Sequence, residues 1–161
     1  MASPGAQGTT APTAVPETVL PLPTHPERTG SGPQILIIDD SEDDVLLASA
    51  YIRRWIREAR FRRVDNAADL RAALAEQAWD MVLCDHNMPS FDSAGALEMV
   101  RRASPRMPFF VYSGDFSRSQ TADALKCGAD GVLEKRDTHG LLRVIDQAFG
   151  AAGARMSFAV A

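Results

Sequence analysis

The sequence predicts an α/β domain in which a doubly wound parallel sheet carries helices on both faces. Between Gln34 and Gly150, short apolar runs alternate five times with segments of helical period. The runs are continuously apolar, as expected of strands buried on both faces, and do not show the alternation of a half-solvated antiparallel sheet. Each connection between strands then contains a helix, which is the crossover that parallel pairing needs.

Length and composition bound the rest. A chain of 161 residues fits one domain with extensions, and 45% apolar with 24% charged residues is the balance of a soluble globular protein. The net charge of −4 argues against a general nucleic-acid binder. No apolar run approaches the ~20 residues of a membrane span, so no membrane association is expected. Two cysteines without CxxC or Cys/His spacing give neither a metal nor a disulfide framework, and a reducing cytoplasmic compartment is the simplest expectation.

Residues 1 to 33 stand apart. Ala11-Pro12-Thr13-Ala14-Val15-Pro16-Glu17 and Leu20-Pro21-Leu22-Pro23-Thr24-His25-Pro26 have no helical or strand period. Repeated prolines remove amide donors and favour extended or disordered chain. A linker or a misassigned start is the plain reading; a proline-rich docking peptide is the alternative. A basic start followed by an unbroken apolar core is lacking, so a signal peptide is not expected. Gly30-Ser31-Gly32-Pro33 marks the domain edge.

The first strand is Ile35-Leu36-Ile37-Ile38, stopping at Asp39-Asp40. Ser41 caps helix 1, with Glu42, Asp43 and Asp44 well placed in its first turn. Leu47, Ala48, Tyr51, Ile52 and Trp55 recur at helical spacing and should face the core. Val45 and Leu46 lie off that stripe and are either buried by a broad helix or exposed as a docking patch. The six arginines Arg53, Arg54, Arg57, Arg60, Arg62 and Arg63 read as a solvated basic face, with an acidic partner as the alternative.

Phe61 to Val64 forms an edge strand, and Asp65 or Asn66 opens helix 2, whose stripe is Leu70, Ala73, Leu74 and Ala78. Met81-Val82-Leu83-Cys84 is the third strand and delivers Asp85 to a Met88-Pro89 turn. Cys84 alternates away from Asp85 into the core. Helix 3 runs from Ser93 to Ala103 on Leu97, Met99 and Val100, ended by Pro105 and Pro108. Pro108 to Tyr112 is strand 4, ending at Ser113-Gly114-Asp115. Helix 4 spans Ser119 to Cys127 and stops at Gly128. Gly131 to Glu134 is strand 5, ending at Lys135. Asp137 or Thr138 caps helix 5, whose face is Leu141, Leu142, Val144, Ile145 and Phe149, and Gly150 closes it.

Parallel strands put these ends on one edge of the sheet, where ligands of such folds bind. Asp39 and Asp40, Asp85, Ser113 and Lys135 therefore converge. Three neighbouring carboxylates resist ionisation unless compensated. A divalent cation compensates them, and Mg2+ fits because it prefers oxygen ligands and retains water. One carboxylate oxygen is then left to attack phosphorus, with Lys135 and the Ser113 hydroxyl neutralising the equatorial oxygens.

Asp39-Asp40, Asp85 with Met88-Pro89, Ser113-Gly114, Gly128-Ala129-Asp130 and Lys135 together resemble the receiver domain of two-component response regulators, over residues 34 to 149. The acidic Asp39-Asp40-Ser41-Glu42-Asp43-Asp44 start resembles that of stand-alone receivers. The resemblance implies a CheY-like (βα)5 sheet of order 2-1-3-4-5. It implies that Asp85 accepts a phosphoryl group from a histidine kinase or histidine phosphotransfer protein. Asp40 would ligate Mg2+ directly, Asp39 through water, and the Asn87 backbone carbonyl would complete the protein ligands. Ser113 and Lys135 would bind the phosphoryl group; Asn87 and Asp115 would tune its hydrolysis. Such a domain is a phospho-acceptor catalysing its own modification, not an enzyme acting on a separate substrate.

Three positions depart from the family pattern. Arg136 follows Lys135 where a cis-proline is usual, Val132 replaces the switching aromatic, and Phe91 to Gly95 lengthens the turn before helix 3. The readout should therefore differ even where the acceptor chemistry is kept. His86 reads as loop polarity or a side chain turned away, with a ligand or relay role as the alternative. Residues 151 to 161 are too few for an output domain. Output should thus pass through helix 4, strand 5 and helix 5 to a downstream protein, or by onward phosphotransfer. Val45, Leu46 or the helix 4 to helix 5 face is a candidate for homodimerisation. A degenerate receiver acting as a constitutive interaction module is the main alternative. An Asp-nucleophile phosphatase resembling haloacid dehalogenases is disfavoured, because Asn87 stands where its second acid would be.

Overall fold

The computed structural model describes residues 32 to 149; the proline-rich stretch up to Ser31, Gly150 and the C-terminal tail lie outside them. The five strands are β1 (Gln34–Ile38), β2 (Arg60–Val64), β3 (Met81–Cys84), β4 (Phe109–Ser113) and β5 (Gly131–Glu134). They alternate with α1 (Glu42–Trp55), α2 (Ala67–Glu76), α3 (Ser93–Ala103), α4 (Arg118–Lys126) and α5 (Thr138–Phe149). All strand pairs are parallel, in the order β2-β1-β3-β4-β5. The expected fold class and strand order are those observed.

Burial on both faces explains the unbroken apolar runs. Leu36, Ile38, Val82, Cys84, Phe109 and Val111 point to one core, shared with Leu70 and Ala73 of α2 and Ala96, Leu97 and Val100 of α3. Ile35, Ile37, Met81, Leu83, Phe110 and Tyr112 point to the other, shared with Val45, Ala48 and Ile52 of α1 and Leu141 and Ile145 of α5. Each Val, Leu, Ile, Phe or Met among them contributes about 1.5–3 kcal/mol when removed from water. Neither core closes without the sheet between them.

Several expectations need correction. Of the stripe expected on α1, Ala48 and Ile52 are buried, but Leu47 and Tyr51 are exposed and the buried face is completed by Val45 and Ser49 instead. Leu47 is 56% exposed and Leu46 67%. Val45 and Leu46 are thus divided between core and surface. On α2, Ala78 lies beyond the helix end and is exposed, while Trp79 is buried and its indole N–H donates to the Ala73 carbonyl (2.8 Å). The arginine run is not a uniform solvated face. Arg53 stacks over Phe61 at 5.0 Å, Arg62 pairs with Glu76, and Arg63 braces the β1–α1 loop.

The caps follow sequence closely. Ser41, Asn66 and Asp92 each accept a backbone N–H three residues on, and Ser117 with Gln120 forms a reciprocal capping box on α4. Asp137 accepts the Gly140 N–H (2.8 Å) at the start of α5. Gly128 has φ +103°, which a side-chain-bearing residue adopts only at a cost, so it ends α4.

At the opposite edge from the acidic strand ends, Asp130 ties three elements together. Its Oδ2 accepts the Phe109 N–H (2.8 Å) and an Arg101 N–H (2.9 Å), and Arg101 also reaches the carbonyls of Met107 and Gly128. Asp130→Ala should therefore cost about 1.5–3 kcal/mol, the range for hydrogen bonds to a charged group, because the buried Phe109 N–H is left unpaired. Urea unfolding measures this; a loss below roughly 0.5 kcal/mol, the level of a plain surface substitution, would show the clamp to be idle.

Candidate functional site: an acidic crevice with one lysine

The strand order reverses direction between β1 and β3, and a crevice opens there beyond their carboxyl ends. Backbone bonds extend the ladder one step past each strand and so place the functional residues. The Asp39 N–H donates to the Val64 carbonyl (3.0 Å), that of Asp85 to Ile38 (2.7 Å) and that of Lys135 to Ser113 (2.8 Å). Carboxylate oxygens of Asp39, Asp40 and Asp85 all lie within 4.8 Å of one another. Asp39 and Asp85 are buried and Asp40 is exposed. The structure therefore brings together the three acids expected from the strand ends.

Lys135 is the cation among them. Its Nζ lies 2.7 Å from Asp39 Oδ2, 2.7 Å from Asp44 Oδ2 and 3.5 Å from Asp85 Oδ2. Burial opposes its charge, but the hydrogen bonds its ammonium donates to Asp39 and Asp44 outweigh that and hold it well above the usual lysine pKa. The Asp39 carboxyl is itself pushed up from 3.8. Burial is the largest cause and the Asp85 charge adds to it, against Lys135 and the Ser41 N–H, which favour the ionised form. Tyr112, whose hydroxyl donates to the Lys135 carbonyl (3.3 Å), is pushed up to about 12 chiefly by burial.

Ser113 is buried beside these groups, at the end of β4, and its Oγ has no hydrogen-bond partner. A buried unpaired hydroxyl costs stability, so its presence calls for an explanation beyond packing. Asn87 is exposed, and its N–H lies 3.4 Å from Asp85 Oδ1, which sets its backbone at the mouth of the crevice. Met88 plugs into the core beneath and anchors that loop. Gly114 and Asp115 are exposed on the loop after β4.

Two contributors escape a reading of strand ends. Arg63 donates to the carbonyls of Asp39 (3.1 Å) and Asp40 (3.0 Å) and to Asp65 (3.0 Å), holding the acidic loop by its backbone. Asp44 shares Lys135 from the first turn of α1. Their partners are distant in sequence, and the only local signal was the Ser41-x-x-Asp44 spacing, which looks like capping alone. His86 is turned to neighbouring helices: Nδ1 lies 3.1 Å from Ser93 Oγ, Nε2 lies 3.4 Å from Gln120 Nε2, and its ring packs on Phe116. Cys84 is buried, with burial raising its thiol pKa well above the ordinary value. No peptide bond among the described residues is cis, so Lys135-Arg136 continues in trans, and Val132 packs against the core.

The donor set fits Mg2+. It consists of hard oxygen ligands crowded on one side of a buried carboxylate whose ionisation burial opposes. Without a divalent cation, stability should fall as pH rises through the raised Asp39 pKa, because the folded state holds that proton more tightly than the unfolded chain. Asp39→Asn should then be more stable than wild type above that pKa, with the difference vanishing below 3.8. Urea titrations across pH in a chelator give the difference curve. A variant less stable at neutral pH would mean that the Lys135 bond outweighs burial.

The comparisons agree with this geometry. The model of the response regulator receiver domain matches residues 35–146. The chain is 26% identical over 115 residues to the transcriptional regulatory protein ZraR of Salmonella typhimurium, covering 71% of this chain and 26% of that protein. It therefore spans about a quarter of that relative's length. It is 28% identical over 124 residues to the probable chemotaxis protein CheY of Rhizobium etli, covering 73% of this chain and 93% of that one. The receiver domain of the sensor histidine kinase PA1611 from Pseudomonas aeruginosa PAO1 superposes with a TM-score of 0.64 at 20% identity, covering 74% and 99% of the two chains. No helix among the described residues is long and apolar enough to cross a membrane. With the matched segment running from β1 into α5 and the acids, serine and lysine at its strand ends, the chain belongs to the response regulator receiver domain family of two-component signalling.

Proposed function

We propose that the protein is a phospho-acceptor switch in which Asp85 receives a phosphoryl group from the phosphohistidine of a kinase or phosphotransfer protein. The observation that carries this reading is the convergence of Asp39, Asp40 and Asp85, with Lys135 on Asp39 and near Asp85 and an unpartnered Ser113 hydroxyl buried at the neighbouring strand end. An Asp85 oxygen forms the bond to phosphorus as the phosphorus–nitrogen bond breaks, and its electron pair stays with the imidazole, which carries a proton on its other ring nitrogen and so leaves as the neutral ring. Lys135 and Ser113 meet the charge on the equatorial oxygens. Asp39, Asp40, Asp85 and the Asn87 carbonyl would hold Mg2+, which would neutralise charge on the phosphoryl group. The magnesium ion described in the active-site cleft of the PA1611 receiver supports this assignment.

The phosphoryl group adds about −1.5 to −2 charge at one point. Lys135 and Ser113 follow it, and the α4–β5–α5 face is biased between two arrangements that a downstream protein, or a second copy, distinguishes. The similarity to a probable chemotaxis protein suits a regulator whose output is a protein contact. A cytoplasmic location suits a kinase partner and the free cysteines.

Incubation with Mg2+ and acetyl phosphate, or with beryllofluoride as the acyl-phosphate mimic, tests the assignment by intact mass and amide spectra. Wild type should take up one phosphoryl group and Asp85→Asn none; an adduct persisting in Asp85→Asn would sink it. Ser113→Ala should leave the free protein within about 1 kcal/mol of wild type, since its hydroxyl has no partner to lose, yet weaken beryllofluoride binding roughly tenfold. Amide shifts that stop at the crevice and do not reach α4 and α5 would refute the output face.

A further inference from the structure

We propose that Asp44 is a positioning residue that holds Lys135 on the α1 side of the crevice and must release it when Asp85 is phosphorylated. This rests on the phospho-acceptor reading and adds a residue that sets its equilibrium.

The geometry separates Asp44 from ordinary helix capping. Asp44 is the third residue of α1, and its backbone N–H donates to the Ser41 side chain (3.3 Å). In a reciprocal capping box its carboxylate would reach back to the N–H of the capping residue. That donor is already taken, because the Ser41 N–H donates to Asp39 Oδ1 (2.8 Å). The Asp44 carboxylate goes instead to Lys135 Nζ at 2.7 Å, from 91 residues away in sequence. On α4, by contrast, Gln120 at the equivalent position does return to the Ser117 N–H (2.9 Å).

Lys135 is consequently shared unequally. Two carboxylates hold it at 2.7 Å while Asp85 stands at 3.5 Å. Asp39 is buried within the crevice. Asp44 is on the rim, with its side chain 38% exposed, and holds Lys135 from the first turn of α1, whereas Asp85 follows β3. A phosphoryl group on Asp85 competes with Asp44 for the same ammonium. Every increment by which Asp44 stabilises the free arrangement is lost on phosphorylation, so Asp44 favours the unphosphorylated state. For an ion pair this exposed the effect is modest.

The test uses the full chain with Mg2+ and beryllofluoride, and in parallel the metal-free protein. Asp44→Asn, which keeps the backbone cap and removes the charge, should bind beryllofluoride roughly two- to fivefold more tightly. In a Lys135→Met background the same substitution should change nothing. In chelator, a double-mutant cycle of Asp44→Asn and Lys135→Met on urea unfolding should show a coupling of roughly two- to fivefold in the folded-to-unfolded ratio. Unchanged or weaker beryllofluoride binding by Asp44→Asn, an equal effect without Lys135, or additive unfolding would each overturn the proposal. Failure of wild type to take up beryllofluoride would instead overturn the phospho-acceptor reading, and the metal-free cycle would still decide whether Asp44 holds Lys135.

Discussion

The crevice between β1 and β3 holds more negative charge than the protein neutralises. Asp39, Asp40 and Asp85 are crowded within 4.8 Å, and Lys135 is the cation that reaches into the group. Burial makes the imbalance costly, as the raised Asp39 pKa records. A fold optimised only for stability would not place two buried carboxylates side by side. The imbalance makes the site receptive to a divalent cation and to a group that recruits one. It also makes the position of Lys135 decisive, because a small shift of the ammonium changes which carboxylate is compensated.

The surrounding structure exists to hold those charges in place without relaxing them. Parallel strands fix the backbone at Asp39, Asp85 and Lys135 through ladder bonds of 2.7–3.0 Å, and Arg63 fixes the acidic loop through its carbonyls. Met88 sinks into one core and Tyr112 into the other, on either side of the sheet. The loop after β3 is therefore pinned from below by Met88, and the loop after β1 is held by Arg63. The carboxylates cannot spread apart to relieve their repulsion.

Most of this framework is legible in the sequence, because buried parallel strands have a signature that survives without tertiary information. Ile35 to Ile38, Met81 to Cys84 and Phe109 to Tyr112 are apolar at every position, and the residue that follows each run marks the functional edge. The phase of α1 is not legible in the same way. Leu47 and Tyr51 complete a plausible stripe, yet Val45, Ala48, Ser49 and Ile52 face the sheet, since small Ala48 and Ser49 permit close approach where larger residues would not. Asp44, Arg63 and Trp79 are missed for another reason. Each looks like an ordinary local feature, and the role depends on a partner that only folding supplies.

The departures at Val132 and Arg136 bear on how a change at Asp85 is felt elsewhere. α4 buries none of its residues fully, so its docking rests on partial contacts such as Ala124 and on its own caps. An element so held has low local stability and responds to small perturbations at its ends. His86, directly after Asp85, lies against Phe116 and Gln120 at the first turn of that helix, and Gln120 is the residue that closes the capping box. A shift in the loop after Asp85 moves His86 with it, and Gln120 must then follow or lose a partner. Through His86, the loop after Asp85 and the least buried helix thus share a boundary.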